Sequence, residues 1–510
     1  MKIACTYASI PLLPIQRCFT SQAALLIAIA CCALGNTNTT AAEPTVINLA
    51  GQIETFDDPR VIDQFSGDLQ HRLLRPEPKD VVLVTDAPWE GNTSAYYTLF
   101  QDEDLFRAYY RGSHYEPGTD RGKHPEFTCY AESRDGIHWT KPSLGLFEFQ
   151  GSKANNIVWA GPGTHNFTPF RDTNPDCPPA ARYKALGCAK SLVPNGGQQG
   201  QALYAFHSPD GIHWSLMREE PVITEGAFDS QNLAFWDPQR RRYVEFHRTF
   251  RGGVRDIQTC TSTDFVQWTR PEFLQYPGAP EQQLYTNAIQ LYDRDPSLFV
   301  GFPTRFLPNE GERVEPIFMC SRDGLTFHRW PEAVIPESAP QDRSGNRSNY
   351  MAWGILRLPH NPDEYSVYAT EAYYTGPDSR LRRFTYRIDG FCAVSAGAAG
   401  GTLLTRPFTF SGDQLQLNFR SEPGGSLEVA LLQADGSTIP GFEADACRPL
   451  QGDHLAQTVT WTTRASLNGL ANTPVKLQIE LQNTTLFSFF FTASKPTHQE
   501  HTHVDHTGQP

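Results

Sequence analysis

One phrase occurs four times in this 510-residue chain and a fifth time in worn form. Ser133-Arg134-Asp135-Gly136-Ile137-His138-Trp139 returns as Ser208-Pro209-Asp210-Gly211-Ile212-His213-Trp214. It returns again as Ser262-Thr263-Asp264-Phe265-Val266-Gln267-Trp268 and as Ser321-Arg322-Asp323-Gly324-Leu325-Thr326-Phe327. The worn copy is Arg387-Ile388-Asp389-Gly390-Phe391, and the five aspartates lie 54 to 75 residues apart. A period of that length, with each phrase following a β-like run, predicts a propeller of four-stranded blades.

The phrase itself reads as a hairpin. Asp bonds nearby backbone N–H groups, Gly takes a positive φ, and the aromatic three or four residues later packs between blades. These aspartates are therefore expected to be structural. Upstream of each phrase come two strand-like runs and a turn, such as Asn232–Trp236, Asp237-Pro238-Gln239-Arg240 and Tyr243–Arg248 in the third unit. The second unit is less regular, with Phe167–Phe170 and Tyr183–Cys188 around a Pro-rich turn. Five units make an all-β, five-bladed propeller over residues 81–395. Residues 396–494 change to strand-like runs between Gly, Asp and Pro turns, which predicts an appended β-sandwich. Residues 43–80 are expected to be an extension packing on the propeller.

Composition narrows the function. A formal net charge of -13 gives no clustered cation for a nucleic-acid backbone. Residues 1–42 hold Lys2, Arg17 and an apolar run from Ala23 to Gly35, the pattern of a secretory signal too short to span a bilayer. A secreted or periplasmic protein with no membrane span is expected, without a lipid anchor at Cys31 or Cys32. Seven cysteines remain between Cys129 and Cys447 with no CxxC pair, so zinc-ligand spacing is absent and two disulfides are the most expected. Residues 495–510 carry four histidines and read as a disordered tail.

Propeller geometry locates the chemistry. The innermost strand lines the central channel and the second runs antiparallel to it, so the start of one and the end of the other share a rim. Those positions give Glu90, Arg111, Asp172, Asp229, His247, Arg248, Asn287, Arg305, Arg347, Asn349 and Glu371. Four carboxylates facing one channel end suit glycosidic cleavage, where one carboxyl protonates the leaving oxygen and another attacks or activates water. Arginines at the same rim can hold a carboxylate or bind an anionic substituent. The expected catalytic set is Asp229 or Glu371 as acid, Glu90 as nucleophile or base, and Asp172 as stabiliser. The expected substrate contacts are Arg111, Arg248, Tyr285, Asn287, Arg305, Arg347 and Asn349. No metal ligand set or cofactor is implied, and no spacing announces a structural calcium.

Five blades, a central carboxylate cluster, an appended sandwich and export resemble the glycoside hydrolases of families 32 and 43. The resemblance implies an Asp opening blade one, another opening blade two, and an acid Glu opening blade three. Glu90, Asp172 and Asp229 stand at those places, although the Trp-Met-Asn-Asp-Pro-Asn-Gly and Glu-Cys motifs are absent. It implies hydrolysis of an oligo- or polysaccharide. The rival expectations are a phosphate-dependent glycoside phosphorylase resembling family 130, a sialidase, and a glycan-binding propeller without catalysis.

Overall fold

The computed structural model describes residues 46–116, 122–190, 200–335, 350–464 and 466–494. The leader, the His-containing tail, Arg347 and Asn349 lie outside the described residues.

Four of the repeated phrases are the same turn. In each, the Ser closes the third strand of a blade: Phe127–Ser133, Gln201–Ser208, Val254–Ser262 or Arg313–Ser321. The Asp carboxylate accepts the N–H groups two and three residues on at 2.7–2.9 Å, and the Ser Oγ accepts the next N–H at 2.9 Å. Burial works against the charge at Asp135, Asp210, Asp264 and Asp323. The hydrogen bonds win and hold all four carboxyls below their usual range, Asp210 at about 2. Positive φ falls at Gly136, Gly211 and Gly324, and at Phe265 where the third copy lacks glycine. Tyr109 of blade one donates to the Gly211 carbonyl at 2.9 Å, and Tyr368 of blade five to that of Gly136 at 2.7 Å. The turns therefore also stitch neighbouring blades.

Each of the first three blades is a single antiparallel sheet of four strands in chain order. Blade one opens with Ala95–Asp102 and Leu105–Gly112, blade two with Gly163–Arg171 and Tyr183–Lys190, and blade three with Leu233–Asp237 and Arg242–Arg251. Blade four runs Ile289–Tyr292, Asp295–Gly301, Arg313–Ser321 and His328–Ala333, widened by the pair Gln283–Thr286 and Thr304–Leu307. Blade five takes Leu356–Leu358, Asn361–Glu371 and Arg380–Arg387, and its outer strand, Glu77–Val84, comes from the other end of the chain. That borrowed strand closes the ring and explains the worn fifth phrase. No outer strand follows Arg387, so no hairpin turn is needed there. Asp389, at φ 58°, instead accepts from Tyr292, Arg294 and Ser488 and ties blades four and five to the sheet beyond.

That sheet has eight strands. Ile47–Asn48, Ile53–Glu54 and Ile62–Leu73 join Cys392–Thr405, Phe408–Thr409, Gln414–Gln433, Asp453–Thr458 and Val475–Thr492. Alternation in Leu415, Leu417, Phe419 and in Leu427, Val429, Leu431 feeds one buried cluster, each side chain contributing about 1.5–3 kcal/mol. The segment before residue 80 thus divides between this sheet and blade five. No α-helix occurs among the described residues, and no helix is long and apolar enough to cross a membrane. None of the seven cysteines from Cys129 to Cys447 is joined to another, and all but Cys177 are buried.

Side chains at and just before the inner-strand starts link blades around the channel. Asn166 donates to the Phe228 and Ser230 carbonyls, Gln231 to that of Tyr97 at 2.9 Å, Asn287 to that of Phe246 at 3.1 Å and Trp353 to that of Ile289 at 2.8 Å. They form a buried polar belt near the entry rim, where the inner strands begin; the exit rim is where those strands end.

Candidate functional site

The entry rim gathers Tyr96, Arg111, Glu126, His165, Asp229, Arg248, Tyr285, Tyr350 and Tyr373 into one circuit of contacts. Arg111 ends the second strand of blade one. Its guanidinium lies 4.7 Å from the Tyr96 ring centre and donates to the Thr93 carbonyl and the Tyr373 hydroxyl, both at 2.8 Å. Glu126, just before the third strand, accepts from His165 Nδ1 at 2.9 Å and stands 3.8 Å from Arg111. His165 Nε2 faces the Asp229 carbonyl oxygen at 3.3 Å, and the Tyr96 hydroxyl donates to that same oxygen at 3.3 Å. Asp229 pairs with Arg248, whose guanidinium lies 4.8 Å from the Tyr285 ring. Tyr285, Tyr350 and Tyr373 then continue edge to face at 5.7 and 5.5 Å back toward Arg111.

Exposure separates the groups that can meet a substrate from those that brace them. The Asp229, Glu126 and His165 side chains are 36%, 34% and 32% exposed, whereas those of Arg111 and Arg248 are each 4% exposed. Partial burial opposes the charge on Glu126, but the His165 hydrogen bond and the His165 and Arg111 charges hold its carboxyl at about 2. Burial pushes the Tyr96 and Tyr350 phenols far up and Tyr373 to about 12, so all three remain hydrogen-bond donors at neutral pH. Oxygen acceptors stand at both nitrogens of His165. Arg111 Nη1 also lies 3.4 Å from each ring nitrogen, so the imidazole is held on all sides by polar groups.

Several expected residues lie elsewhere. Asp172 follows the end of its inner strand, Gly163–Arg171, and so stands on the exit rim, where it accepts from Lys184 and from Tyr243 at 2.7 Å. Glu90 is 0% exposed, locked by Tyr110 at 2.5 Å, Lys141 at 2.6 Å and the Ala87 N–H at 3.0 Å. Glu371 ends its strand on the expected side but is buried, accepting from Arg382 at 2.6 Å. Asn287 is a member of the polar belt, and Arg305 pairs with Glu315 while donating to the Pro331 carbonyl at 2.8 Å. His247 faces the interior of the blade rather than the channel. It bonds Glu245 at 2.7 Å beside Cys260, all three buried; burial works against its charge, but the Glu245 charge and the hydrogen bonds to Glu245, Gln258 and the Glu225 backbone together raise its pKa. Asp229, Arg111, Arg248 and Tyr285 do converge.

Glu126 and His165 escaped the sequence reading. Inner-strand starts and second-strand ends do not include Glu126, which directly precedes a third strand. His165 lies near the start of an inner strand that begins four residues before Phe167. The available signal was Glu126 directly before the almost wholly buried run Phe127–Ser133.

No family model matches the chain, and no curated protein does. Among solved structures it is similar to one titled glycoside hydrolase, at 14% identity over 61% of this chain and 92% of that one, with TM-score 0.42. It is similar to a β-1,2-mannobiose phosphorylase from Listeria innocua at 11% identity, over 62% and 97%, with TM-score 0.44. It is also similar to a thermostable family-43 glycoside hydrolase at 12% identity, over 60% and 94%, with TM-score 0.40. These are distant likenesses of fold.

Proposed function

We propose that the chain is an exported enzyme that cleaves a glycosidic bond at the entry rim of its propeller. The observation that carries this reading is the bracket around His165: Glu126 holds one ring nitrogen, and the segment bearing the open Asp229 carboxylate receives the other. Such a bracket sets an imidazole and a carboxylate on one rim, the kinds of group that protonation of a leaving oxygen and attack at the anomeric carbon require. Asp229 acts on the sugar or on water, Arg248 holds it in place, and His165 oriented by Glu126 handles the proton. The tyrosines provide faces for a sugar ring and hydroxyl donors around it. Glu90, Glu371 and Asp172 support the fold in this reading. The C-terminal eight-stranded sheet folds over its own apolar cluster as a β-sandwich.

The test is reducing-sugar release across a broad oligo- and polysaccharide panel, with and without inorganic phosphate, for the full chain, Glu126→Gln and His165→Gln. Release that falls by about 10²–10⁴ in both variants supports the assignment. Saturable glycan binding with no cleavage in the wild type would make the propeller a lectin-like module. Strict phosphate dependence would make it a phosphorylase.

A further inference from the structure

We infer that the substrate carries an anionic substituent, a uronic carboxylate or a sulfate ester, and that Arg255 binds it. This rests on the reading of the entry rim as the glycan site. Arg248 and Arg255 share two aromatic neighbours. Their guanidiniums lie 4.8 and 5.4 Å from the Tyr285 ring centre, and each lies 5.5 Å from that of Phe250. Among the described residues one carboxylate, Asp229, pairs with either of them, and its partner is Arg248.

Among the described residues no carboxylate pairs with Arg255. Its Nη1 donates to the Gln283 side-chain oxygen at 2.6 Å, Phe306 lies 4.7 Å beneath the guanidinium, and its Nε is buried with no hydrogen-bond partner. The neighbouring Asp256 does not neutralise it, because that carboxylate pairs with Arg251 at 2.8 Å. In a chain of net charge -13, acidic groups are plentiful, yet this half-buried cation has none. Aromatic rings and one amide hold it in place without neutralising it. A fixed guanidinium with unspent donors is preorganised for a planar or tetrahedral oxyanion. Its position beyond Tyr285 puts that oxyanion on the sugar that meets Asp229 or on the next one.

Paired substrates test the inference: polygalacturonate against its carboxyl-reduced polymer, and a sulfated galactan against its desulfated form. Binding by calorimetry at low salt and cleavage are both measured for the wild type, Arg255→Gln and Arg255→Lys, after thermal unfolding confirms that each variant folds. The wild type should prefer the acidic member of one pair by about ten-fold or more. The identity of that pair distinguishes carboxylate from sulfate. Arg255→Gln should bring the preference close to one, and Arg255→Lys should keep part of it, since charge remains without the fork. Equal binding of acidic and neutral members by the wild type would overturn the inference, even with neutral glycans cleaved. So would a requirement for inorganic phosphate that Arg255→Gln abolishes. An acidic preference in binding with no cleavage would contradict the hydrolytic reading and leave this one standing.

Discussion

At the exit rim, Asp102, Asp172, Asp237 and Asp293 each close or directly follow an inner strand, and each is locked. Tyr183 of blade two donates to Asp102 at 2.5 Å, Tyr243 of blade three to Asp172 at 2.7 Å, and Tyr365 of blade five to Asp293. Asp237 binds Arg240 at 2.8 Å. Three of these contacts repeat one device, a strand-end aspartate taking the hydroxyl of a tyrosine near the start or within the second strand of a later blade. Between them lies a cavity of about 700 Å³ lined by side chains such as Phe100, Phe170, Phe235, Trp236, Leu291 and Trp353. At the entry rim the same strands leave Asp229, Glu126 and His165 about one-third open beside two buried arginines. The number of carboxylates therefore does not distinguish the two rims. What differs is that Asp102, Asp172 and Asp237 are buried against partners in the protein, whereas Asp229 and Glu126 stay about one-third open to a ligand.

Substitutions should affect stability at one rim and turnover at the other. Asp172→Ala leaves the Lys184 ammonium buried without its partner, and should cost about 3–5 kcal/mol in denaturant unfolding. Retained stability with lost turnover would place Asp172 in the chemistry after all. Asp210→Ala removes a turn that holds two N–H groups, and should cost about 2 kcal/mol in the same measurement with specific activity of the folded protein preserved. The smallest effect concerns pH. Glu126 has a folded pKa of about 2 against an ordinary 4.5. Its stabilising contribution is thus complete above the ordinary value and is lost as pH falls through 4.5 toward 2. A group one-third exposed is screened, so the wild type should lose less than about 1 kcal/mol more than Glu126→Gln across that window. Identical acid unfolding curves would remove the His165–Glu126 pair from the account.

The blades were legible because their signal is local: an Asp side chain and its own turn fix each hairpin within seven residues. Ring closure was not, because Glu77–Val84 pairs with Arg380–Arg387 some 300 residues away and carries no turn phrase. The rim was half legible. Asp229, Arg111, Arg248 and Tyr285 follow from strand ends alone. Asp172 was misplaced because its strand extends to Arg171, so the residue belongs to the tyrosine-locked set whose spacing follows the blades. Glu90 and Glu371 stand on the expected side, yet burial against Lys141 and Arg382 depends on packing that strand order does not reveal. Glu126 and His165 required knowledge of which third strand meets which inner strand.

The central claim is that the open entry-rim carboxylate performs glycosidic cleavage. Its most direct test is turnover of Asp229→Asn on the best substrate of the panel, beside a thermal unfolding scan of the same sample. Turnover should fall by about 10²-fold or more with a cooperative unfolding transition retained. Wild-type turnover in a folded Asp229→Asn protein would contradict it.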